Sequence, residues 1–138
     1  MNKLVLSIVL TFLISCASAP SQDEIDNADY GKYVSSSQCT NLAKTFIKNK
    51  LKDPSSAQFN NVYCYKGWLG SVPIVGVSAT FGYTFGGNVN GKNSYGGYTG
   101  FTPFIGVVRD DGNGARVVRY CITETNTDYP TCIPSMVY

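Results

Sequence analysis

From residue 37 to residue 52 the chain carries one apolar stripe at helical spacing, and after Asp53-Pro54 it carries no second one. Cys39, Leu42, Ala43, Phe46, Ile47 and Leu51 recur every three or four positions, which gathers them on one side of a helix. Lys44, Lys48, Asn49 and Lys52 fall largely on the other side. The lysines crowd the C-terminal half, where the helix dipole favours cations. Ser35 and Gln38 stand at capping-box spacing ahead of the stripe. Asp53-Pro54 stops the helix, because proline disfavours helical backbone in the residue before it and lacks an N–H itself. The lysine face has two readings: a solvated face, which is the simpler, or a contact for anionic lipid or a partner.

Everything after Pro54 reads as strand and turn. Residues 59–65 are expected as a first strand. Residues 72–83 alternate, with Val75, Val77, Ala79, Phe81, Tyr83 and Phe85 opposed to Ile74, Gly76, Ser78, Thr80 and Gly82, the signature of a half-buried strand. Pro73 sets its start at an edge or bulge. Gly86-Gly87, Asn90-Gly91-Lys92-Asn93 and Gly96-Gly97 are turn signals. Residues 102–109 and 115–122 read as a pair of strands joined by a hairpin turn at Asp110-Asp111-Gly112-Asn113-Gly114. The expected fold is α+β: one N-terminal helix packed on an antiparallel sheet of four or five strands, in a single domain over residues 36–138.

The first residues carry an address. Met-Asn-Lys is followed by an apolar run from Leu4 to Ile14, the pattern of a secretory signal and too short to span a bilayer, which takes ~20 residues. Leu13-Ile14-Ser15-Cys16 resembles the lipobox of bacterial lipoprotein precursors. The resemblance implies removal of residues 1–15, diacylglyceryl transfer to the Cys16 thiol and acylation of the new amine. Several acyl chains at ~0.8 kcal/mol per buried CH₂ anchor durably. Ala17 rather than Asp after the cysteine resembles the enteric sorting signal for the outer membrane, so the expected location is that membrane, facing the periplasm or the cell surface. Residues 16–35 are rich in Ser, Asp, Asn and Ala without a hydrophobic period, and are expected to be a flexible tether.

Cysteine parity agrees with lipidation. The chain has five cysteines; setting aside Cys16 leaves Cys39, Cys64, Cys121 and Cys132, an even set suited to an oxidising compartment. Reach ranks their pairings. The helix carries the chain ~18 Å from Cys39 and the returning strand brings it ~17 Å back to Cys64, so the two legs nearly cancel. Cys39–Cys64 and Cys121–Cys132 are therefore the expected disulfides.

The most distinctive stretch runs Asn88-Val89-Asn90-Gly91-Lys92-Asn93-Ser94-Tyr95-Gly96-Gly97-Tyr98-Thr99-Gly100-Phe101-Thr102-Pro103-Phe104, some thirty residues after Leu51-Lys52-Asp53-Pro54-Ser55-Ser56-Ala57-Gln58-Phe59. Together the two blocks resemble a family of small exported bacterial proteins with LxDPxSAxF and NxKNSxGGYxGFxxF motifs. Where that family often has a Cys-Gly pair ahead of the second block, Phe85-Gly86-Gly87 stands here. The resemblance implies no enzyme activity. By their chemistry, Asn90, Lys92, Asn93, Tyr95, Gly96, Gly97, Tyr98 and Phe101 form a structured loop. Its aromatics either cover the end of the core or present a recognition surface for a glycan or a protein.

Composition narrows function by exclusion. The chain has no histidine, which removes Ser-His and Cys-His catalysis and the commonest transition-metal ligand. The acids of the folded region, Asp53, Asp110, Asp111, Glu124 and Asp128, show no pairing of the kind a glycosidase needs. With 11 Lys and Arg against 9 Asp and Glu, the net charge of +2 makes no case for nucleic acid. The expectation is a lipid-anchored cell-envelope lipoprotein that is a non-enzymatic binding module of the inhibitor, immunity or exclusion type. It requires no cofactor and no metal. Its partners are a membrane, through the N-terminal lipid, and an envelope protein or glycan. The alternative is a structural accessory lipoprotein of an envelope assembly.

Overall fold

A computed structural model describes residues 18–71 and 76–122, together with the backbone of 135–136. Two helices, α1 (Gln22–Asn27) and α2 (Ser36–Lys48), and a 3₁₀ turn (Pro54–Ser56) precede the strands β1 (Gln58–Leu69), β2 (Thr80–Asn90), β3 (Thr102–Arg109), β4 (Arg116–Ile122) and the two-residue β5 (Ser135–Met136). The strands form one antiparallel sheet in the order β1-β2-β3-β4-β5, each neighbour in sequence also a neighbour in space. The α+β architecture expected from the helix stripe is the one observed.

Helix α2 starts where its cap chemistry puts it. Ser35 is extended, and its hydroxyl accepts from the Gln38 N–H at 3.2 Å. Cys39, Ala43 and Ile47 are fully buried against the sheet, with Leu42 and Phe46 at the margin. The helix ends at Lys48, a turn earlier than the proline stop predicted. Asn49 closes it, its N–H donating to Ile47 and Thr45, and Leu51 reaches the core from the following turn. Opposite α2 the sheet contributes Cys64, Phe85, Val89, Phe104, Val108 and Val117. Cys39 and Cys64 are bridged with Cα atoms 6.1 Å apart and 25 residues between them in sequence, the pairing that chain reach favours. Cys121 is disulfide-bonded too, while Cys132, like Cys16, lies outside the described residues.

The strands depart from the sequence reading in two places. β1 extends to Leu69, past the expected end at residue 65, and is bent by a bulge between Asn60 and Tyr63, where Asn61 adopts φ 51°. β2 begins only at Thr80 and continues through Gly86-Gly87, where the sequence predicts a turn. Ring crossings explain the glycines. Tyr63 lies across β2 at Gly86, and Phe85 lies across β3 at Gly106, so a Cβ at either glycine would strike an aromatic ring. The start of the alternating stretch, residues 72–75, and the tail 123–134 lie outside the described residues.

The 16–35 segment is the largest correction. From Ser18 onward it is not a free spacer. Ser18 pairs with Ser71 through N–H···O bonds of 3.1 and 3.0 Å. Ser21 and Glu24 form a complete capping box for α1. Asp29 is ion-paired with Arg109, and the Lys32 N–H donates to the Asp110 carbonyl at 2.7 Å. Tyr30 packs edge-on against Phe81 beneath the Lys66 ammonium, and Val34 is buried in the core. These partners lie far along the chain, which is why a local composition reading saw only polar linker.

The sheet face away from α2 holds Arg119, which is 4% exposed. Its Nη1 donates to the carbonyls of Leu69 and Ser78 and to the Thr80 hydroxyl, each at 3.3 Å. It has no carboxylate partner among the described residues, and burial lowers the pKa of its guanidinium. One arginine thus ties the end of β1 to the start of β2.

Candidate recognition site

The connection from β2 to β3 is a closed, internally bonded loop. Lys92 and Tyr98 form a bridge across its neck. The Asn93 N–H donates to the Gly97 carbonyl at 2.8 Å, and the Gly96 N–H donates back to the Asn93 carbonyl at 3.0 Å. The Asn93 side-chain oxygen accepts from the N–H groups of Tyr95 and Gly97, at 2.9 and 3.1 Å. Asn90, buried at the end of β2, accepts from the Gly100 N–H at 3.2 Å. Gly96 at φ 81° and Gly100 at φ 105° occupy the left-handed region, which L side chains rarely adopt. This is asparagine doing what its short amide allows: replacing backbone partners where the chain reverses.

A second segment holds the loop from below. Asp53 caps the 3₁₀ turn, its carboxylate accepting from the Ser55 hydroxyl at 2.5 Å and the Ser55 N–H at 3.1 Å. The Ser55 hydroxyl, with the backbone N–H groups of the turn and nearby Lys92, keeps this carboxyl below the usual aspartate range. Ser56 then joins the two segments: its hydroxyl accepts from the Lys92 N–H at 2.8 Å, and its carbonyl accepts from the Tyr98 hydroxyl at 3.1 Å. The Lys52 ammonium donates to the Ser94 hydroxyl at 3.2 Å, and Leu51 lies close against Gly91. The two distinctive sequence blocks are therefore one structural unit.

The loop's aromatics are outside the core. Tyr95 is 96% exposed, Tyr98 45% and Phe101 43%. Leu51, Phe59 and Phe104 close the core beneath them, with Phe59 edge-on to Phe104. The Lys92 ammonium sits 5.7 Å from the centre of the Tyr98 ring. Of the residues expected to form this surface, Lys92, Tyr95, Tyr98 and Phe101 are exposed, while Asn90 and Asn93 are its frame and Gly96 and Gly97 its bend. Ser56 was not among them. The signal for it was the DPSS run, whose serine serves the distant loop as well as its own turn.

The other acidic cluster, at the β3–β4 turn, is engaged in its own structure. Asp110 accepts from the N–H groups of Gly112 and Gly114, and Asp111 pairs with Arg109 and Arg116. Among the described residues no helix is long and apolar enough to cross a membrane. The chain matches no protein-family profile, no curated protein and no solved structure.

Proposed function

We propose that this chain is a lipid-anchored cell-envelope lipoprotein whose domain is a non-enzymatic binding module, with the 90–101 loop as its recognition surface. The observation that carries this reading is the contrast within the loop. Its backbone is held by Asn90, Asn93 and Ser56, yet Tyr95 stands 96% exposed. A tyrosine on a fixed backbone offers a large amphipathic contact at low entropy cost, which is why tyrosines anchor binding surfaces. Lys52 and Lys92 beside it favour an anionic or hydroxyl-rich partner, an envelope protein or a glycan. Anchoring is supported by the resemblance of Leu13-Ile14-Ser15-Cys16 to a lipobox, and by oxidised Cys39, Cys64 and Cys121, which suit an oxidising compartment.

The test is saturable binding of the acylated protein to isolated envelope fractions. Tyr95→Ala is expected to weaken binding about tenfold, or ~1.4 kcal/mol, with no change in Tm. Undiminished binding by both Tyr95→Ala and Tyr98→Ala contradicts the loop as recognition surface. That outcome favours the second reading, a structural accessory lipoprotein docked through its sheet edge. One observation supports this alternative: β1 is a 12-residue edge strand that carries the exposed, stacked pair Tyr63 and Tyr65.

A further inference from the structure

Ser18, where the described chain begins, and the candidate recognition loop lie at opposite ends of the sheet. Ser18, two residues after Cys16, is hydrogen-bonded in both directions to Ser71, just beyond the end of β1. Two residues span at most ~7 Å. The pairing is close: a Cβ at Gly70 would sit 2.6 Å from the Ser18 carbonyl oxygen and 3.8 Å from the Trp68 ring. From this end β2 runs 11 residues, ~34 Å at a strand's rise, to Asn90 and the loop. The remainder of the 18–35 segment adds no slack, because Asp29 and Lys32 fasten it at Arg109 and Asp110, which lie at the same end.

We propose that the sheet end formed by Trp68, Leu69 and Ser71 rests against the lipid surface that holds Cys16, so that the 90–101 loop faces away from that membrane. This rests on the lipid-anchoring reading above. Between Lys66 and Lys92 the sequence has no charged residue, so the end of β1 and the start of β2 add no charge of their own to be desolvated at this surface. Trp68 is half-buried there, and an indole suits the boundary between headgroup and acyl chain. The charges that do lie at this end are mixed, Arg109 being paired with Asp29 and Asp111, so anionic lipid does not strengthen the contact. Lys52 and Lys92, at the far end, stand several Debye lengths (~8 Å each) from the surface and are left for a partner.

Trp68 is the chain's single tryptophan and reports this directly. The full acylated protein, its modification verified by intact mass, is placed in phosphatidylcholine vesicles with and without bromine on the upper acyl chain. Loss of most Trp68 emission in the brominated vesicles is expected, with no gain when phosphatidylglycerol is added. A Trp68→Phe, Tyr95→Trp chain is expected to keep its emission. Should that chain not fold, Tyr95→Trp alone serves, with a portion of its emission resisting the quencher. Unquenched Trp68 on a verified acylated chain overturns the orientation and leaves anchoring intact. Equal quenching at both positions means that the domain lies flat, and overturns it too. An unmodified Cys16 overturns anchoring itself, and this inference with it.

Discussion

Arg119 crosses the back of the sheet to hold three oxygens belonging to Leu69, Ser78 and Thr80, while its own Nε has no hydrogen-bond partner. Truncation strands those acceptors and opens a hole at a site 4% exposed. Arg119→Ala is therefore expected to cost ~2–3 kcal/mol in urea unfolding, while an exposed charge elsewhere, such as Lys44, costs little when removed. Gly106→Ala forces a methyl into the Phe85 ring and is expected to cost about 2–3 kcal/mol by the same measurement. Neither residue announced itself in the sequence. Period-2 alternation alone would put Arg119 on the same face as Val117; a register shift in the β3–β4 pairing turns it to the opposite face, where its partners are 39 to 50 residues upstream. Gly106, like Gly86, is held glycine by an aromatic ring from the neighbouring strand, and a sequence displays only glycine's local preference. Asn93 was legible, since an asparagine among glycines has one common use.

At the scale of elements, α2, β3 and the β3–β4 hairpin were plain in the sequence, since periodicity and turn chemistry there agree with tertiary need. The 18–35 segment was not, although Ser21 and Glu24 spelled a capping box. Its attachment leans on Asp29, whose carboxyl is held below the ordinary range by the Gly31 N–H and then by Arg109. A carboxyl with a lowered folded pKa stabilises the folded state above its unfolded value near 4, and that stabilisation is lost as pH falls through the folded value. The Tm of the native chain is expected to fall in that acid window more steeply than that of Asp29→Asn. Parallel curves for the two chains contradict the role given to Asp29. Cys39–Cys64 holds α2 to β1, and replacing both cysteines with alanine is expected to cost about 3 kcal/mol for a loop closed over 25 residues. An unchanged urea midpoint contradicts that.

Over the whole molecule, the antiparallel meander sorts chemistry by end. Ser18, Asp29, Arg109 and Asp110 gather where β1 finishes and β2 begins, and the 3₁₀ turn, Lys52, Lys92, Tyr95 and Tyr98 gather where β2 finishes. Two sequence blocks some thirty residues apart become one site because the strands between them run out and back. Their contact through Ser56 could not be read from spacing. What gives this arrangement a cellular meaning is the fate of Cys16. Intact-mass analysis of protein extracted from its native membrane tests that directly. The account predicts a chain beginning at residue 16, carrying diacylglyceryl and acyl groups, with its other four cysteines oxidised. A full-length chain with an unmodified Cys16, or with four free thiols, contradicts it.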